Sequence, residues 1–101
     1  MQERSVKPQG VLSQSQVLKA WEQEAPRLLI KEMKDRNCTY RDLAERLQVM
    51  GVYESADRLN RKVNRKTFSA AFFLMCMSAL GVSELTVPTN QQIMDQYART
   101  K

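Results

Sequence analysis

At 101 residues and 43% apolar content, the chain is long enough for one domain with a modest core and too apolar to remain disordered. Three glycines and three prolines argue against a turn-rich β fold, and the lack of any histidine removes the commonest general acid/base and the commonest zinc ligand together. The formal net charge is +5 and is concentrated: residues 58–66 hold Arg58, Arg61, Lys62, Arg65 and Lys66 without an acid, while the other 92 residues balance eleven bases against eleven acids.

Good helix formers dominate the composition, which predicts an all-α domain of about five helices. Residues 1–14 are polar, carry Pro8 and Gly10, and read as a flexible arm before a domain spanning 15–101. Neither a secretory h-region nor an apolar run long enough to span a bilayer is visible, and the two cysteines follow no metal-ligand spacing. The expectation is a cytoplasmic protein without a membrane span, metal or cofactor.

Ser15 is the expected N-cap of the first helix. Val17, Trp21, Ala25, Leu28, Leu29 and Met33 then recur at three- and four-residue steps as one apolar stripe. Pro26 lies inside it, and a proline removes one helical hydrogen bond and crowds the preceding turn, so a kink or a break is expected there. If it breaks, a new helix runs over 26–36 with Pro26 as its first residue. Trp21 reads as a core or helix-docking residue rather than one that stacks on a base.

Thr39 and Asp42 have the spacing of a capping box, predicting a helix from Tyr40 to about Met50. It turns Leu43, Ala44 and Leu47 inward and leaves Arg41, Asp42, Glu45 and Arg46 as a mixed, solvated face. Gly51 suits the left-handed residue that ends it. Ser55 caps the next helix, which runs to about Arg65 with Ala56, Leu59 and Val63 toward the core. Arg58, Arg61, Lys62 and Arg65 lie opposite, a stripe of one sign that repels itself until something anionic covers it. Asn60 is expected partly toward the core flank.

Thr67 or Ser69 starts the most apolar segment, AAFFLMCMSAL, which reads as a central helix buried all round and ended by Gly81. Phe73 is expected in the core. Met75, Cys76 and Met77 read as core filler rather than metal or redox ligands, and Leu85 and Val87 as residues that close the core. Thr89 with Gln92 opens a last helix. Its Ile93, Met94 and Tyr97 share one face and need a partner, either this core or a second subunit.

No constellation for catalysis emerges. The glycines are isolated, a Ser–His pair is impossible, and the helical carboxylates sit near bases on solvated faces. A non-enzymatic role is the expectation. Two short helices, a turn and a cationic second helix with an apolar helix behind them form a helix-turn-helix pattern. Such a helix fits the major groove, and arginine matches guanine edges and phosphate oxygens alike.

The segments TYRDLAERL, ESADRLNRKV and FSAAFFLMCMSALGVSEL resemble the lambda-repressor/Cro-like helix-turn-helix domains over roughly residues 27–85. The best matching positions are Leu43-Ala44 and Ala79-Leu80-Gly81-Val82. The Cro-like pattern has a glycine four residues after the helix-two alanine; here Gln48 stands there, so the connection through Gly51 to Glu54 is longer. The chain is also similar to a small uncharacterised bacterial domain family with an aromatic and RLL-x-x-E early, then TY-x-DLA-x-RL and FSAAFFL. The Cro-like resemblance implies a sequence-specific regulator binding double-stranded DNA as a homodimer. Its contact residues would be Ser55, Arg58, Arg61, Lys62, Arg65 and Lys66, with Thr39, Tyr40 and Arg41 at the start of the preceding helix. Two other readings of the basic helix are docking of an acidic protein partner and RNA binding.

Overall fold

The computed structural model describes residues 12–100. These form five α-helices and no strand: α1 Gln14–Asp35, α2 Tyr40–Val49, α3 Ala56–Arg65, α4 Ala70–Ala79 and α5 Asn90–Thr100. The expected arm falls mostly outside the described residues; of its last three, Leu12 and Ser13 precede α1 and Gln14 begins it. Among the described residues, no helix is long and apolar enough to cross a membrane.

α1 starts two residues earlier than expected because Ser13, not Ser15, is its N-cap. Ser13 Oγ accepts from the Gln16 N–H at 3.3 Å, and the Ser13 N–H donates to Gln16 Oε1 at 2.9 Å. Gln16 is the deciding residue, since only Ser13 has a glutamine three positions on. The helix then runs unbroken through Pro26, which is buried. Neither the break nor the separate helix over 26–36 occurs. Tertiary packing explains the continuity: α4 and α5 both pack on α1, with Ala20 and Glu24 buried before the proline and Leu29 and Met33 after it. Helices in proteins owe most of their stability to such packing, which outweighs one missing backbone bond.

Four helix ends share one geometry. The chain leaves α1, α2, α3 and α4 through a left-handed residue, respectively Asn37, Gly51, Lys66 and Gly81. At α2, the Gly51 N–H donates to Gln48 O and the Val52 N–H to Leu47 O, both at 2.9 Å. The same paired bonds close the other three, which satisfies carbonyls that a helix end leaves bare.

One core joins the first four helices. Leu29 and Met33 of α1 meet Leu43 and Leu47 of α2, Leu59 and Val63 of α3, and Phe72, Cys76 and Met77 of α4. α4 packs against both α1 and α2, and α3 rests chiefly on α2. Fully burying each leucine contributes about 1.5–3 kcal/mol before cavity effects. α4 is less enclosed than its composition suggests: Leu74 is 62% exposed, Phe73 is only partly buried, and Phe72 takes the core position. Helical rotation decides this, since Phe72, Cys76 and Leu80 lie at four-residue steps and α4 ends near the surface. Leu85 packs on the core as expected, whereas Val87 lies exposed.

α5 finds its partner within the chain. Ile93 is buried and α5 packs on α1. Trp21 Nε1 donates to Asn90 Oδ1 at 2.8 Å, so Trp21 is a helix-docking residue. Of the two partners expected for this face, the chain's own α1 is the one it packs against.

Candidate nucleic-acid interface

α3 is built to hold its surface still. The Ser55 hydroxyl accepts from the Arg58 N–H at 3.1 Å, capping the helix as its sequence predicts, and Asp57 in the first turn complements the helix dipole. Leu59 and Val63 are anchored in the core. The exposed side therefore faces solvent in a defined orientation.

Its cations are not equivalent. Arg58, Arg61, Arg65 and Lys66 are exposed, and among the described residues none of their side chains has an acidic partner. Lys62 differs. Its Nζ donates to Glu54 Oε2 at 2.7 Å and sits 4.9 Å from the centre of the Phe72 ring. Both contacts draw it toward the core edge. The other carboxylate oxygen, Glu54 Oε1, is buried without a hydrogen-bond partner. Glu54 thus gives one charge-assisted bond to Lys62 and keeps one acceptor unused.

A groove of about 520 Å³ runs along this side of α3, lined by Glu54, Arg58, Arg61, Lys62, Arg65 and Thr67. The structure thus brings together four of the expected contact residues. Lys66 stands apart, lining a second depression with Asn64 and with Gln23, Pro26, Arg27 and Ile30 of α1. Ser55 serves as the cap. Thr39, Tyr40 and Arg41 line neither groove. Thr39 and Asp42 satisfy one another as the capping box of α2, at 3.1 and 3.0 Å. The Thr39 backbone N–H and hydroxyl hold the Asp42 carboxyl below its usual range. Tyr40 is half-buried against the core, and burial pushes its phenol up; Arg41 is exposed.

Asn60 is fully on the surface, contrary to its expected place near the core flank. Asn64 Nδ2 donates to the Asn60 carbonyl at 2.9 Å and also contacts Asn60 Oδ1. Sequence reasoning missed Glu54 and Thr67 as groove residues. Thr67 lies just past the cationic stretch, a position that could have drawn notice. Glu54 precedes the helix and meets Lys62 eight residues on, outside any intrahelical pairing rule.

The thiols have no part in this surface. Both are buried, and burial raises them, Cys76 to about 12. Each is an inert core residue at neutral pH.

Residues 21–85 match a family model described as a domain of unknown function (DUF6471). The chain belongs to this family. The RLL, TYRDLAERL and FSAAFFL segments that carry the resemblance to a small uncharacterised family all lie within the matched span. So do α2, α3, α4 and the groove, whereas α5 falls beyond it. No curated protein and no solved structure matches the chain.

Proposed function

We propose that this domain is a cytoplasmic, sequence-specific DNA-binding regulator that lays α3 in the major groove of a duplex, with α2 and α3 as a helix-turn-helix pair. The observation that carries this reading is the set of unpaired cations on the exposed side of α3. A helix face of one sign with no internal counterion is costly to itself and is relieved by a polyanion. Arginine also has the donor geometry for guanine edges and phosphates. The six residues between α2 and α3, Met50 to Ser55, make the connection longer than in Cro-like domains. Contact positions are therefore taken from exposure and not from alignment.

The deciding experiment is a titration with duplex DNA at several salt concentrations. A DNA-binding domain loses affinity linearly in log salt, with a slope near −0.9 per phosphate neutralised. Replacing Arg58 and Arg61 together by Ala should weaken binding by at least about thirtyfold, at roughly 1–3 kcal/mol each, with helix content unchanged. Wild-type affinity in that double variant would remove α3 from the interface. A second reading, docking of an acidic protein through the same helix, is favoured by exposed Val49, Met50 and Tyr53 just before α3. It predicts duplex affinity that is equal for every sequence and is lost by physiological salt.

A further inference from the structure

The two flanks of α3 differ in chemistry, and the difference divides the work of binding. At about 100° per residue, Arg61, Arg65 and Arg58 fall within an arc of roughly 60°, and Asn60, Asn64 and Asp57 fall within an adjacent arc of similar width. Lys62 lies past the arginines, next to the buried side, where Glu54 and Phe72 hold it. Resting on the duplex-binding reading above, we infer that the arginine flank grips the phosphates of one DNA strand and the Asn60–Asn64–Asp57 flank faces the base edges. Lys62, held by Glu54 and Phe72, touches no DNA.

Three observations support the division. Arg58, Arg61 and Arg65 climb about 10 Å along the helix, close to the rise of three nucleotides at about 3.4 Å each. They line a single groove, so their charges converge on one strand. Asp57 stands on the other flank. A carboxylate there opposes phosphate but accepts well from a cytosine amino group, and asparagine pairs with adenine through one donor and one acceptor. The bond from Asn64 Nδ2 to the Asn60 backbone carbonyl holds the Asn64 amide, and its contact with Asn60 Oδ1 brings the two side chains together before any ligand arrives. Lys62, in turn, already spends its charge on Glu54, and to release it would leave a largely buried carboxylate bare.

The test compares salt slopes and base preference, using a duplex selected from a random pool and a scrambled duplex of equal length. Arg58→Ala and Arg65→Ala should each flatten the slope by about 0.9 and weaken both duplexes equally. Asn64→Ala should leave the slope unchanged and narrow the selected-to-scrambled affinity ratio by about tenfold or more. Lys62→Met, which keeps an apolar stem over Phe72, should leave both slope and ratio unchanged. If Lys62→Met does not fold, Glu54→Gln replaces it: loosening Lys62 should steepen the slope by about one contact, near 0.9. A slope lost in Lys62→Met as in the arginine variants, or left unmoved in Glu54→Gln, overturns the division while duplex binding stands. So does an arginine variant that changes base preference at constant slope. Failure of the wild-type chain to bind either duplex overturns both readings.

Discussion

On α1, acids and bases stand three or four residues apart and neutralise one another: Glu24 with Arg27, Lys31 with Asp35, Glu32 with Arg36. On α3 the same spacings hold Arg58, Arg61 and Arg65, and among the described residues no acid pairs with them. Both helices are long-side-chain amphipathic helices docked on a shared core. Charge order separates them. Three acids of α1 are each spent on a base of its own surface. α3 is open: among the described residues the one acid paired with its cations is Glu54, which is directed to Lys62. The difference teaches that a basic count alone says little; the informative quantity is the charge left after internal pairing.

The contrast depends on α3 being held rigidly, and Phe72 is where that is most easily broken. It is buried in the core and lies under the Lys62 ammonium. Phe72→Ala should cost about 3–5 kcal/mol in denaturant unfolding. That is a large part of the roughly 5–15 kcal/mol available to a domain. Phe73→Ala, at a half-buried position stacked on Phe68, should cost clearly less. Equal losses in the two variants would mean that α4 is rotated from the orientation described.

The closed character of α1 is tested by removing its bases one at a time. Glu24 is 4% exposed, and Arg27 donates to both of its oxygens, from Nε at 2.8 Å and from a terminal nitrogen at 2.6 Å. These bonds hold Arg27 in its charged form more firmly than usual. Arg27→Met leaves a buried carboxylate without a counterion and should cost about 1–3 kcal/mol, lowered from the fully buried case because Arg27 is itself half exposed. Lys31→Met breaks a pair that water surrounds on both sides and should change thermal stability too little to measure. If Lys31→Met were as damaging as Arg27→Met, burial would not be what distinguishes the two pairs.

Much of this was legible in the chain. The capping pairs Thr39–Asp42 and Thr89–Gln92 appear in the structure as hydrogen-bonded boxes. Ser55, Ser69, Gly51 and Gly81 mark helix ends as their residue types predict. Local signals suffice there because the interacting groups are three to five residues apart. What escaped was set by distant contacts. Pro26 reads as a kink or a break until α4 and α5 are seen packed on α1. Phe72 and Phe73 are adjacent aromatics, and no local rule says which one α2 will cover. Val87 looks like core but follows a stretch that leads away from it. Lys62 reads as one more surface cation because its partner, Glu54, sits outside the helix.

The last prediction concerns the end of α3. Asn37, Gly51 and Gly81 are residue types that tolerate a positive φ; Lys66, at φ 59°, is not. Its strain is of order 1 kcal/mol. Lys66→Gly should therefore raise stability by about that amount and the melting temperature by about 4–8 °C for a domain of this size. The left-handed turn also places this cation away from the arginine groove, beside Asn64 and the middle of α1. Lys66→Gly should then flatten the salt slope of duplex binding by no more than one phosphate, near 0.9. A stabilised variant with an undiminished slope would make the strained lysine a feature of the fold only. A stabilised variant that loses one phosphate's worth of slope would place strain and charge together on α3, the opposite of the relaxed, self-paired surface of α1.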